Sequence, residues 1–285
     1  MHVKGKYLLK VLGPQAAYLV ATLYSRNRPI FYLNEAAHIL GGREKASKVL
    51  AQMINNGVAT RLKSGMFSLV PFELGFEREY LGNPYIVARE LILGKDKSKK
   101  AKTKYYLSHA SAFELHQMVT QPQLVVYVSS PKMMRTKNIQ GAEFRFVRCK
   151  SEDVFGVTEI WVDKTEKVLV SDLERSLIDG LKLPAYCGGF LEVAKAFSIK
   201  RDVIDPQKMI DYAIKLGVGA VNRRLGYLME LYNIGARIHW EFLKTTLTSS
   251  YLLLDPDMPA EGRYLAKWRL RLNISKEELL AIRVT

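Results

Sequence analysis

Residues 43–57 read REKASKVLAQMINNG, and their apolar side chains leave the local backbone little choice. Ala46, Val49, Leu50, Met53 and Ile54 recur at i, i+3, i+4, i+7 and i+8, which places them along one side of an α-helix and nowhere else. Gly57 stands where a left-handed C-terminal cap belongs. Two short apolar runs, VATRL and GMFSLV, follow and flank Lys63-Ser64-Gly65, the pattern of a β-hairpin with Arg61 and Lys63 near its tip. A helix with one greasy side therefore has to pack, and a basic hairpin leaves its end.

Upstream, QAAYLVATLYS (15–25) predicts a helix entered through Pro14, with Ala17, Leu19, Val20 and Leu23 facing a core. Asn34 is the expected N-cap of a short second helix, EAAHIL, stopped by Gly41-Gly42. The polar face of the third helix carries Lys45, Lys48, Gln52 and Asn55, with Ser47 at its edge and Arg43 at its start. Helix, helix, helix and basic hairpin is the order of a winged helix-turn-helix. In that arrangement Lys45, Ser47, Lys48, Gln52 and Asn55 enter a major groove of double-stranded DNA. Arg43 takes a phosphate at the helix start, and Arg61, Lys63 and Ser64 take the backbone from the hairpin.

Charge supports that expectation. The 285 residues hold 43 Lys+Arg against 28 Asp+Glu, a formal net charge of +15, which points to a polyanionic partner, nucleic acid ahead of anionic membrane. Residues 1–75 alone carry ten Lys/Arg and three Asp/Glu. The early run AAYLVATLY is too short to span a bilayer, and Lys10 interrupts any leader-like apolar stretch. Two isolated cysteines, Cys149 and Cys187, suit neither a disulfide framework nor a thiolate zinc site, and a cytoplasmic setting is expected.

The length predicts two domains, at 1–78 and 79–285, with a lysine-rich loop at 94–104 (GKDKSKKAKTK). Beyond that loop the segments QLVVYVSS, AEFRFVRC, GVTEIWVD and EKVLVSD read as strands, and SHASAFELHQM, LERSLIDGL, PQKMIDYAIKLG and AVNRRLGYLMELYN as helices. Terminal strands are expected in SYLLLD and AKWRLRLNI, and the class is α+β. Asp172 is a candidate N-cap, and Glu174 and Arg175 are expected to anchor the core by an ion pair or hydrogen bonds. PKMMRTK (131–137) and RYLAKWRLR (263–271) supply a second basic surface through Lys132, Arg135, Lys137, Arg263 and Lys267.

Enzyme signatures are missing from the pattern. His109 and His116 are two helical turns apart, too far to share a metal. Asp255 and Asp257 flank Pro256 in a strand end, with no Gly-Ser element before them. There is neither a Walker A sequence nor a dinucleotide fingerprint. No catalysis, no metal and no cofactor are expected.

Five segments, YYLSHASAFELHQM, VYVSSPK, VSDLERSLIDGLKLPAYCGGFLEVAKAF, RRLGYLMELYN and LLLDPD with WRLRLNIS, resemble in order the AbiEi-type antitoxins of AbiE abortive-infection systems, a type IV toxin–antitoxin class. That family also has an N-terminal winged helix and is described as comprising transcriptional regulators of viral defence. The resemblance implies an autorepressor that binds inverted repeats in its own promoter and counteracts a co-encoded nucleotidyltransferase-type toxin in phage defence. A winged-helix regulator unrelated to a toxin, with a ligand-sensing or dimerising second domain, is the alternative.

Overall fold

The computed structural model describes residues 12–74, 80–94, 103–119 and 124–282. The chain is α+β and divides into two compact units. Unit 1 comprises residues 1–103, 136–144 and 161–168, and unit 2 residues 104–135, 145–160 and 169–285. The sequence-based boundary at 78/79 and residues 95–102 of the lysine-rich loop lie outside the described residues.

Unit 1 begins with helix α1 (Pro14–Ser25), with Pro14 in its first turn. Its inward residues are Ala16, Leu19, Val20 and Leu23; Ala17 is exposed, because it lies about 100° around the helix from Ala16, which completes the i, i+3, i+4, i+7 stripe. A three-residue strand that the pattern alone does not reveal, β1 (Ile30–Tyr32), runs directly into α2 (Leu33–Leu40). Asn34 is therefore inside the helix and not its cap. Tyr32 holds the N-cap position, and the Glu35 carboxylate accepts its backbone N–H at 2.9 Å.

Gly41 turns left-handed (φ 77) and α3 (Arg43–Asn55) follows at once. Ala46, Val49, Leu50 and Met53 are buried, and Ile54 is half-buried at the edge of the stripe. Strands β2 (Ala59–Lys63) and β3 (Met66–Leu69) form the hairpin around Ser64-Gly65, with Gly65 at φ 73. Strand β1 joins on the far side of β3, giving an antiparallel sheet in the order β1-β3-β2. Phe31 and Phe67 pack from this sheet onto Leu19, Leu23, Leu50 and Met53 of the helices. Helix α4 (Pro84–Leu93), capped by the Asn83 side chain, is tied to this assembly by polar groups. Arg28 bridges Glu35 at 3.3 Å and the buried Glu90 at 3.1 Å, and the Tyr32 hydroxyl donates to the Glu90 carbonyl.

The larger sheet has six strands: β4 (Tyr106–Leu107), β5 (Val125–Ser130), β6 (Lys137–Ile139), β7 (Ala142–Arg148), β8 (Val157–Trp161) and β9 (Lys167–Ser171). Their order is β6-β7-β5-β4-β9-β8, mixed because β4 pairs antiparallel with β5 and parallel with β9. Helix α5 (His109–Leu115) follows β4. The helical half of unit 2 consists of α6 (Leu173–Lys182), α7 (Phe190–Lys200), α8 (Pro206–Leu216), α9 (Gly219–Tyr232), α10 (Arg237–Thr245) and α11 (Lys276–Ala281). A small sheet, β10 (Leu252–Leu253), β11 (Arg263–Leu265) and β12 (Leu270–Leu272), has the order β10-β12-β11. The expected terminal strand AKWRLRLNI is thus mostly something else: Ala266–Trp268 is a 3-10 turn, and only Leu270–Leu272 is strand.

Helix α6 lies at the centre of unit 2, with Glu174 to Leu181 all buried. Asp172 caps it by accepting the Arg175 N–H at 2.9 Å. Glu174 and Arg175 do not pair with each other, since adjacent helical residues point about 100° apart. Arg175 reaches Asp179 (3.0 Å) and the Tyr106 hydroxyl (3.0 Å), with Phe155 stacked under its guanidinium at 4.1 Å. Glu174 takes Lys208 of α8 at 2.8 Å.

On α9, Gly226 lies under the indole of Trp268, and a Cβ there would sit 2.0 Å from the ring. Trp268 cannot step aside: it is fully buried, and its Nε1 donates to Glu230 at 2.7 Å. Gly226→Ala should therefore destabilise the chain by roughly 3 kcal/mol or more, as overpacking in a closed core does. A lowered urea-denaturation midpoint is the expected result.

Candidate functional site

The residues predicted for DNA contact distribute over two edges of α3. Arg43 and Ser47 lie on the edge nearest the hairpin. Together with Arg61, Lys63, Ser64 and Asn34 they line an open groove of about 550 Å³, floored by Leu50, Ile54 and Phe67. Lys45, on the other edge, and Lys48, on the outward side, line a second hollow of about 590 Å³ with Gln15, Glu44 and Arg43. Gln52 and Asn55 are exposed on the outward side of the helix.

The local fold explains the first groove. Gly41 and Gly42 make the α2–α3 turn tight, so that α3 starts directly at the end of α2, and the chain then leaves α3 straight into β2. Between Arg61 and Lys63 the strand pairing shifts register, so that Lys63 faces Met66. Arg61 and Ser64 are exposed, and Lys63 is half-buried. The N-terminus of α3 begins at Gly42 with no side-chain cap, leaving its first N–H groups and the positive end of its dipole beside Arg43. Sequence reasoning missed Asn34 as a groove residue, because it was read as a cap.

One anion interrupts this surface. Glu44 lies on the outward side of the first turn of α3 and pairs with Lys48 at 2.8 Å across one helical turn. Both side chains are highly exposed, so the pair contributes only a few tenths of a kcal/mol to stability. It does, however, give Lys48 a partner.

The expected second basic surface is dispersed. Lys132 and Arg135 are exposed in unit 2, whereas Lys137 is a half-buried residue of β6 in unit 1. Arg263 is exposed, but Lys267 is held by Glu230, the carboxylate that also accepts from Trp268. Lys267 is thus part of the packing of the small sheet on α9 and not an unpaired surface charge.

No protein-family model matches the chain, and no curated protein matches it. Among solved structures, the crystal structure of the Rv2827c protein from Mycobacterium tuberculosis shares its fold. The two align with a TM-score of 0.71 over 99% of this chain and 98% of that one, at 13% sequence identity. The shared architecture extends over the whole length of both proteins.

The groups weighed for chemistry are embedded in packing. Asp255 accepts the Asp257 N–H at 2.9 Å in a turn, and among the described residues no cluster of His, Cys, Asp and Glu could hold a metal ion. No helix among them is long and apolar enough to cross a membrane. His116 caps α5, and its Nε2 lies 2.6 Å from the Ser171 carbonyl. His109 opens α5 in a left-handed conformation (φ 53), with Nδ1 at 2.9 Å from the Ser108 hydroxyl. Tyr127 and Tyr186 enclose its ring.

Burial lowers the His109 pKa from 6.5 to about 4; Asp179 opposes the shift, while Arg175 and Lys182 add to it. A histidine depressed in the folded state leaves stability untouched above the unfolded value and removes it as pH falls from 6.5 towards 4. The loss between pH 7 and pH 4 amounts to about 3 kcal/mol. His109→Asn, which tolerates the left-handed backbone and does not titrate, should remove that share of the pH dependence. Urea titrations at the two pH values measure it; an unchanged difference would refute the assignment.

Proposed function

We propose that this protein is a DNA-binding transcriptional autorepressor that also acts as the antitoxin of a co-encoded nucleotidyltransferase-type toxin. In this reading residues 12–74 are a winged helix-turn-helix, with α2 and α3 as its helix pair and the β2–β3 hairpin as its wing. The observation that carries the DNA half is the convergence of Arg43, Ser47, Arg61, Lys63 and Ser64 on one groove between α3 and the hairpin tip. Two consecutive elements, α3 and the hairpin, there offer guanidinium, ammonium, hydroxyl and helix N-terminal N–H donors within one concavity. That donor set suits phosphate oxygens.

With the hairpin on the backbone, the exposed side of α3 faces the major groove and presents Lys48, Gln52 and Asn55 to base edges. Lys45 lies on the flank next to α1. The net charge of +15 favours approach to any duplex, so specificity rests on the few side chains of α3. The antitoxin half rests on the five ordered segments of unit 2 that resemble AbiEi-type proteins. One of them, LERSLIDGL, is the buried helix α6 on which that unit is built.

Binding to the chain's own promoter should weaken steeply with salt, because each phosphate contact releases counterion. Arg61→Ala with Lys63→Ala should lower the slope of log K against log salt by about 2 in magnitude, on promoter and random DNA alike. Fluorescence anisotropy over a salt series tests this; an unaltered slope removes the hairpin from the interface.

The antitoxin role is tested separately. Co-expression of the chain with the product of a neighbouring nucleotidyltransferase-like gene should restore growth. The Arg61→Ala/Lys63→Ala chain should rescue equally well while failing to silence a promoter reporter. Absence of rescue by the wild-type chain would leave a regulator without a toxin.

A further inference from the structure

The small sheet of unit 2 has two unlike faces. Leu270 and Leu272 of β12 point inward with Trp268 and Leu254. Side chains alternate along a strand, so the outer face receives what lies between them. The register aligns Leu253, Arg271 and Tyr264 as one row across β10, β12 and β11, and Tyr251 and Arg269 immediately precede the paired Leu252 and Leu270.

These residues interlock. The Arg271 guanidinium lies over the Tyr264 ring, 5.3 Å from its centre, and that of Arg269 over Tyr251 at 5.5 Å. The two rings meet edge to face at 5.1 Å. Arg269 Nη1 donates to the Tyr251 hydroxyl at 3.3 Å, and Arg271 Nε donates to the Gly262 carbonyl at 3.4 Å. Tyr264 is nevertheless 61% exposed and Tyr251 36%, and Arg263 is exposed at the strand start.

Two backbone features serve this arrangement. Arg269 adopts a left-handed conformation (φ 51), rare for a long side chain, which turns its guanidinium onto Tyr251. Gly262 (φ 84) lies so close to β12 that a Cβ would meet the Leu272 carbonyl at 1.8 Å. Glu261 is the nearby exposed carboxylate in sequence, and no carboxylate among the described residues pairs with Arg263, Arg269 or Arg271.

We propose that this face is a platform for unpaired nucleotides of single-stranded nucleic acid. The tyrosine rings and the guanidiniums laid over them are planar groups on which bases stack, and the guanidiniums also take phosphates. An acidic peptide would satisfy the arginines but offer no planar group to the exposed Tyr–Arg stack. A duplex would satisfy the phosphate contacts but keep its base faces hidden. The platform is independent of the duplex interface proposed for unit 1, and either can fail alone.

The test uses the full chain carrying Arg61→Ala and Lys63→Ala, so that the hairpin contributes little to the signal. Fifteen-nucleotide oligo-uridylate and oligo-thymidylate are titrated by fluorescence anisotropy. Adding Tyr251→Ala and Tyr264→Ala should weaken binding roughly 5- to 150-fold per tyrosine, the range that stacking of a single base spans. Tyr251→Phe with Tyr264→Phe should restore it, because stacking needs the ring and not the hydroxyl. Circular dichroism and a thermal melt verify that each variant is folded. In the otherwise wild-type chain the alanine pair should leave promoter-duplex affinity within two-fold, whereas the hairpin variants should not.

Loss with the phenylalanine pair equal to that with alanine would overturn the platform. So would displacement of the oligonucleotide by an equal concentration of charge-matched polyglutamate, which would make the face a generic anion surface. Folded alanine variants that bind both oligonucleotides as before would also refute it.

Discussion

The buried guanidinium of Arg175 ties the sheet of unit 2 to its helices. Arg175 is 1% exposed, and its charge is tolerated only because Asp179, the Tyr106 hydroxyl and the Phe155 ring surround it. Removing one member of such a set strands a charge in the interior, which costs several kcal/mol. The partners come from different places: Asp179 from the same helix, Tyr106 from the sheet, and Phe155 from the loop before β8. Close packing does the rest, with Gly156 against the Arg175 Cβ and Gly180 against Phe113. The sheet and the helical half of the unit are thereby joined by groups that fit in one arrangement only.

Among its described residues, unit 1 buries one carboxylate, Glu90, and keeps the cations of α3 and the hairpin at its surface. Arg28, with Glu35 and Glu90, joins the start of α2 to α4. Otherwise the helices are held to the β1-β3-β2 sheet by apolar side chains. Arg43, Lys45, Ser47, Lys48, Gln52, Asn55, Arg61 and Ser64 remain exposed. The proposed function draws on this division between an apolar core and a rim of cations.

Much of this could be read in advance where periodicity was strong. The stripe Ala46-Val49-Leu50-Met53 fixed α3 and its inward face, and the same logic located α1, α6, α8 and α9. The hairpin was legible from its apolar runs and Ser-Gly turn. What escaped was short or set by tertiary partners. Strand β1 has three residues, β4 two and β6 three, too few for alternation to show. Asn34 looked like a cap because its residue type suits one, but the strand before α2 moved the helix start to Leu33. Of the site, the residue types were readable while their pairings were not: the Glu44–Lys48 and Glu230–Lys267 pairs depend on rotamers and long-range packing.

The Glu44–Lys48 pair changes how the exposed side of α3 would read a duplex. On the proposed duplex, a carboxylate on the outward side of the first turn of α3 would be repelled by any phosphate that slides across it, which would limit the registers of the helix in a groove. Cytosine amino groups, by contrast, are donors that a carboxylate can accept. Lys48 can leave Glu44 for a guanine edge at a cost of only a few tenths of a kcal/mol. In that reading the pair would act as a vernier: cheap to open over the right bases, and a source of repulsion whenever the backbone lies in their place.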